Sequence, residues 1–128
     1  MKKETENSFS GEGLLCPIRY SIDAIGGKWK ASILCILADR KAHKYNEMKR
    51  KLGKITNTML AQTLQQLESD CLIHRKQYNK IPPKVEYRLT LEGETIIPVI
   101  LKMAEWGAIH MKMDKEFSSE CDRCRKIY

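Results

Sequence analysis

From Ile55 to Ile73 two kinds of residue recur with a helical period. Leu60, Leu64 and Leu67 fall on one side, spaced by four and then three, while Thr58, Gln62, Gln65 and Ser69 fall on the other. The spacing predicts an amphipathic helix capped by Thr56, whose hydroxyl can accept from a free N–H of the first turn; at Cys71-Leu72-Ile73 the pattern gives way to a strand. The polar side of this helix carries amides and hydroxyls and no cation.

The same reading extends upstream. Pro17 suits the first turn of a helix, Ile18, Ser21, Ile22 and Ile25 follow at helical spacing, and Gly26-Gly27 ends it. A second helix is expected over Lys28 to Ala38, burying Trp29, Ile33, Ile36 and Leu37, with Cys35 as a small core residue. Asp39 to His43 reads as a turn, and Tyr45 to Leu52 as a short helix with Met48 and Leu52 inward. Gly53-Lys54 is then a tight turn into the helix over Thr56 to Gln66, which makes a helix-turn-helix.

Downstream, Ile73 to Tyr78 and Val85 to Leu89 are β-prone and flank the Pro-rich basic loop Asn79 to Lys84, so a hairpin with an extended tip is expected. Thr90 can cap a last helix, with Glu92 and Glu94 complementing its dipole. From Leu91 to about Met113, Ile96, Ile97, Ile100, Leu101, Ala104 and Ile109 cover more than one narrow stripe and Trp106 adds a large ring; Pro98 predicts a kink or break near Thr95. A helix this apolar requires a second partner, for which its own symmetry mate is the natural candidate. The architecture expected is mainly α with a small β-hairpin, an α+β winged helix-turn-helix dimerising through its terminal helices. Residues 1–13 read as a mobile arm, 14–113 as the domain and 114–128 as a polar tail.

The charge distribution changes this picture from a fold to a candidate function. The 128 residues carry 23 Lys and Arg against 16 Asp and Glu, a formal charge of +7. Twelve of those 23 cations, but two of the 16 acids, lie in the windows Arg40 to Lys54 and His74 to Arg88, on either side of the neutral helix. A basic balance suggests a polyanion partner. DNA readers divide their contacts in this way: cations hold phosphates, while amides, hydroxyls and small apolar groups read base edges. The residues singled out as base or phosphate contacts are Thr56, Asn57, Thr58, Gln62 and Gln65 on the helix, Lys49, Arg50, Lys51 and Lys54 before it, and Arg75, Lys76, Lys80 and Lys84 on the wing. No apolar run reaches the ~18 residues of a membrane span and no amphipathic basic helix is present, so a cytoplasmic protein with double-stranded DNA as partner is expected.

Candidate chemistry is sparse. His43, His74 and His110 lack metal-ligand spacing and read as surface or boundary residues; no catalytic triad, paired-carboxylate site or phosphate-binding glycine loop is present, so neither enzyme activity, metal nor cofactor is expected. The five cysteines, an odd number with no secretion signal, argue against a disulfide framework. Cys71 is expected to pack beside Leu72. Cys121 and Cys124 form a single C-x-x-C, too few ligands for zinc, leaving an inert tail or a redox partner. Cys16 lies at an expected helix N-terminus near Arg19, surroundings that favour a thiolate; a packing or capping role is the alternative.

Cys16-Pro17-Ile18, Ile25-Gly26-Gly27-Lys28-Trp29, Tyr45-Asn46-Glu47-Met48, Ile55-Thr56, Met59-Leu60, Leu64 to Glu68, Pro82-Pro83-Lys84-Val85-Glu86-Tyr87, Leu89-Thr90 and Glu105-Trp106-Gly107 together resemble the HxlR-type branch of bacterial winged-helix regulators, related to the MarR-like group. The resemblance runs from about residue 16 to 112. It implies a homodimeric transcription factor on an inverted-repeat operator, with Thr56 to Gln65 as the groove-reading helix and Asn79 to Lys84 as the wing. It also implies that Cys16 matches a cysteine that often senses oxidants or electrophiles, and that many relatives have glycine where Cys71 stands. Two competing readings share the same core: a winged-helix protein-interaction module that never touches DNA, and a regulator that answers to a small molecule.

Overall fold

The computed structural model describes residues 16–111; the expected arm, the polar tail, Cys121 and Cys124 lie outside the described residues. The elements run α1 (Pro17–Ile25), α2 (Lys30–Ile36), a 3-10 turn (Leu37–Asp39), β1 (His43–Lys44), α3 (Tyr45–Leu52), α4 (Asn57–Ser69), β2 (Ile73–Tyr78), β3 (Lys84–Leu89) and α5 (Leu91–Met111). The helices and the hairpin stand where the periodicities put them. The expected two-stranded hairpin is in fact part of a three-stranded antiparallel sheet ordered β1-β3-β2, with His43 opposite Tyr87 and Lys44 opposite Glu86. Two residues are too few to show an alternating pattern, so β1 was hidden inside the expected turn.

One core serves all these elements. Ile33, Leu34 and Leu37 from α2 and its 3-10 extension meet Met48 and Leu52 of α3, Leu60, Leu64 and Leu67 of α4, Ile73, Tyr87 and Leu89 of the sheet, and Ile100 of α5. The predicted second helix begins two residues late, at Lys30, and tightens into the 3-10 turn after Ile36. Trp29, its N-cap residue, is half-buried against the core rather than within it. Pro98 does not break α5: the helix runs from Leu91 to Met111 with the proline inside it. The ring costs one backbone hydrogen bond, and it sits on the exposed side, where the Glu94 carbonyl can turn to water.

Two junctions orient the helix pair and the hairpin. Between α3 and α4, Gly53 adopts φ 73° and ψ −90°, a conformation open to glycine and costly for any residue with a Cβ. At the other end of α4 the N–H of Leu72 donates to the Leu67 carbonyl and that of Cys71 to the Glu68 carbonyl, a Schellman ending with Cys71 in the left-handed region at φ 63°. Cys71 is therefore an exposed C′ residue and not, as expected, one packed beside Leu72. The Thr90 hydroxyl donates to the Cys71 carbonyl at 2.6 Å, the Thr90 N–H to the Leu72 carbonyl at 3.1 Å, and Thr90 Oγ1 in turn caps α5 by accepting from the Gly93 N–H at 2.9 Å. Gly93 lies so close to the Leu72 carbonyl that a Cβ would enter the oxygen's van der Waals shell.

His43 is the largest departure from the sequence reading. It is buried, 5% exposed, not a surface residue. Its Nδ1 lies 2.8 Å from Glu47 Oε2 and its Nε2 2.9 Å from Asp39 Oδ2, so the ring ties the 3-10 turn to α3. Only the doubly protonated ring donates on both sides. Burial alone would raise the Asp39 carboxyl, but the hydrogen bond from His43, the Lys41 N–H and the nearby positive charges outweigh it and hold the group below its usual range. Glu47 behaves alike: burial raises it, and His43, the Lys44 N–H and Lys51 lower it further.

Two outcomes follow. Gly93→Ala is expected to destabilise the fold by more than about 2 kcal/mol, since backbone must shift to admit the methyl; urea denaturation measures this. Because Asp39 and Glu47 are more acidic when folded, their stabilisation is complete only above about pH 5 to 6, clear of the unfolded carboxyl values of 3.8 and 4.5, and is lost as pH falls through the lower folded values. His43→Gln should flatten this acid limb of the stability profile. A limb as steep as the wild type's would rule the clamp out.

Candidate nucleic-acid interface

The apolar stripe of α4 faces the core completely: Leu60, Leu64 and Leu67 are buried, and Thr63, also buried, satisfies its hydroxyl by donating to the Met59 carbonyl at 2.7 Å. The opposite side is consequently forced outward, and Thr58, Gln62, Gln65 and Ser69 are all exposed. Thr56 caps the helix as its position predicts, Oγ1 accepting from the Met59 N–H at 3.1 Å. With α3 and the Gly53 turn this completes the helix-turn-helix. Gln62 and Gln65 also border a cleft of about 710 Å³ shared with Tyr20 and Asp23 of α1 and Glu92 of α5, whereas Thr58 stands clear of it.

The cations before α4 divide by what they touch. Lys49 is half-buried and donates to the Ile55 carbonyl at 3.2 Å, bracing the turn. Lys51 faces Glu47 across 3.7 Å. Arg50 and Lys54 are exposed, and no ion pair or hydrogen bond occupies their charged ends among the described residues. The sequence window treated all four alike because composition does not reveal which head group the backbone has already taken.

The wing sorts its residues by strand alternation. Ile73, Tyr87 and Leu89 turn to the core; on the other face His74, Lys76 and Tyr78 of β2 pair across with Arg88, Glu86 and Lys84 of β3, and Lys44 of β1 lies beside Glu86. Tyr78 organises this face. The ammonium groups of Lys76, Lys80 and Lys84 lie 5.0, 5.9 and 4.9 Å from its ring centre, and its hydroxyl donates to Glu86 Oε1 at 3.0 Å. The Lys84 ammonium, 3.2 Å from Glu86, is the foremost cause holding that carboxyl below its usual range; burial opposes it, and the Tyr78 hydroxyl and the charge of Lys44 add to the lowering. Arg75, on the core-facing side of β2 but exposed, donates to Gln77. Ile81 at the tip is fully exposed.

Sequence reasoning missed Tyr45, Lys44, Tyr78 and Arg88 as parts of this surface. The Tyr45 hydroxyl reaches the first residue of α4, 3.2 Å from both the backbone oxygen and Oδ1 of Asn57. Strand alternation read from Lys76 through the hairpin would have found Tyr78 and Arg88; nothing local announces the reach of Tyr45.

A second surface is apolar. Ile18 and Ile22 of α1 are 66% and 57% exposed, and Val99, Met103, Trp106 and Ile109 follow one another along α5 at spacings of four, three and three, the last two 65% and 64% exposed. Trp106 stacks on His110 with ring centres 4.0 Å apart. Cys16 is exposed at the N-cap of α1. Among the described residues no cluster of His, Cys, Asp or Glu suits a metal ion, and no helix is long and apolar enough to cross a membrane.

Comparison with known proteins agrees with this geometry. The family model described as HxlR-like helix-turn-helix matches residues 24–115. An uncharacterized HTH-type transcriptional regulator of Methanothermobacter thermautotrophicus is 40% identical over 109 residues, 81% of this chain and 82% of that protein. The uncharacterized HTH-type transcriptional regulator YdeP of Bacillus subtilis is 49% identical over 92 residues, 72% and 71% of the two chains. Among solved structures, the redox regulator HypR superposes in its oxidised form with a TM-score of 0.70 at 38% identity, over 80% of this chain and all of that one. Its reduced form gives 0.73 at 40%, over 77% and 96%.

Proposed function

The chain belongs to the HxlR-like helix-turn-helix family of transcriptional regulators, a family of regulators and not of enzymes, and from that premise we propose that it acts in the cytoplasm as a homodimeric, sequence-specific DNA-binding repressor on an inverted-repeat operator. The observation that carries the proposal is the neutral, outward, hydrogen-bonding face of α4 between the exposed cations of α3 and the lysine-rich face of the wing. Thr58 leads the base contacts, with Asn57, Gln62 and Gln65 beside it and the capping Thr56 at the phosphate edge. Arg50 and Lys54 hold phosphate on one side, Lys76 and Lys80 on the other; Arg75 approaches from the other face of β2, Lys49 supports the turn, and Lys51 and Lys84 share their charges with Glu47 and Glu86. The exposed apolar residues of α1 and α5 supply the surface for the symmetry mate, and a twofold axis there sets two α4 helices about 34–36 Å apart, one turn of DNA.

A salt titration tests the assignment. Arg50→Ala is expected to weaken binding to every sequence alike and flatten the slope of log affinity against log salt by roughly 0.9, the value for one phosphate contact. Thr58→Ala should instead change preference among operators. An unchanged slope for Arg50→Ala removes that contact, and the absence of any electrophoretic shift on DNA upstream of its own gene favours a protein-interaction module.

A second reading concerns control. Similarity to a protein described as a redox regulator, together with the exposed position of Cys16, supports oxidant or electrophile sensing through that thiol. Cys121, Cys124 or the exposed Cys71 are the available second thiols. On treatment with diamide, Cys16 is expected to form a disulfide, found by mass spectrometry, with loss of operator affinity that Cys16→Ser abolishes. An unmodified Cys16 at unchanged affinity rejects it and favours a small-molecule effector.

A further inference from the structure

Tyr45 opens α3, twelve residues before the helix whose first residue it touches. Its ring packs half-buried against the core, so the position of its hydroxyl is fixed by the fold and not by its own mobility. That hydroxyl lies 3.2 Å from the Asn57 backbone oxygen and 3.2 Å from Asn57 Oδ1. Both are acceptors, and the phenol proton is shared between them. The amide oxygen of Asn57 is thereby turned inward, toward the α3 side. The Nδ2 group, diverging from Oδ1 on the same planar carbon, has no hydrogen-bond partner among the described residues, and Asn57 is exposed.

Resting on the DNA-binding reading above, we propose that Tyr45 is a positioning residue that makes Asn57 a donor-only reader, selective for a base presenting acceptors without an adjacent donor. The major-groove code then sets the order. Guanine presents N7 and O6, both acceptors; thymine presents O4; adenine and cytosine present an amino group that meets the Asn57 N–H bonds donor against donor. Adenine is ordinarily the base an asparagine reads, with Nδ2 donating to N7 while Oδ1 accepts from N6. Oδ1 keeps a second lone pair, but its bond to Tyr45 ties it to the α3 side, away from the N6 of a base that Nδ2 has met, and so the second of those bonds is not made. The phenol therefore converts an adenine-reading side chain into a guanine-reading one without touching DNA itself.

The test is selection from an operator library randomised in each half-site, with the full-length wild type and with Tyr45→Phe, Asn57→Ala and Asn57→Asp. In the wild type, one position per half-site is expected to favour guanine over adenine about tenfold, and Asn57→Ala should flatten that position alone. Tyr45→Phe frees Oδ1, so adenine should rise there to equal or exceed guanine while other positions and the affinity for non-specific DNA stay unchanged. General loosening of the helix would lower discrimination at every position and create no new preference for adenine. Asn57→Asp keeps an acceptor for Tyr45 but removes the outward donors, and should move the position toward cytosine, a readout that holds even if Tyr45→Phe does not fold. A wild-type preference for adenine at the Asn57-dependent position overturns the assignment, as does a guanine preference unchanged in Tyr45→Phe. A wild type that selects no sequence at all removes the DNA-binding reading itself.

Discussion

Helix α4, the hairpin and the long terminal helix α5 meet at a single backbone carbonyl, that of Leu72. It follows the Schellman ending of α4, accepts from Thr90 where β3 ends, and lies against Gly93 in the first turn of α5. Three elements that must be oriented relative to one another share this point. Thr90 closes the junction twice, donating to the Cys71 carbonyl and capping α5 with the same oxygen. Because close packing transmits displacement instead of absorbing it, tilting α5 carries the end of α4 with it. The exposed apolar residues of α5 and the exposed polar residues of α4 are therefore linked through one shared contact.

Much of this arrangement was legible in the residues. Leu60, Leu64 and Leu67 declared the buried side of α4 by spacing alone, Thr56 declared its start, and Gly53 and the Pro82-Pro83 loop declared the turn and the wing. What periodicity could not show were features decided by contacts between distant segments. β1 exists because His43 and Lys44 find β3 some forty residues later, not because two residues carry a strand signal. His43 looked like any turn histidine; its spacing of four from both Asp39 and Glu47 was visible, but only burial gives that spacing consequence. Pro98 does not break α5, because the cost of a proline depends on which side of the helix it occupies, and it occupies the wet one.

Charge shows the same limit in another form. The windows around α4 were correctly seen as basic, yet a lysine is a formal charge in sequence and a hydrogen-bonding group in space. Lys49 is spent on the Ile55 carbonyl and Lys84 leans on Glu86 and Tyr78, while Arg50 and Lys54 remain open. Two of the four residues missed, Tyr45 and Tyr78, are phenols whose rings anchor to protein while their hydroxyls fix a neighbour's side chain. Aromatic residues with a polar tip are suited to that task, since two rotatable bonds suffice to place the oxygen.

The outward side chains of α4 lie on the far side of the helix from the core, with Thr58 clear even of the neighbouring cleft. Replacing one neutral amide or hydroxyl there by another changes neither the packing of Leu60, Leu64 and Leu67 nor the cations on either flank. In a lineage of duplicated copies, the outer face of this helix is free to change residue by residue while the core beneath it and the charge on either side stay as they are, so no change there passes through an unfolded intermediate.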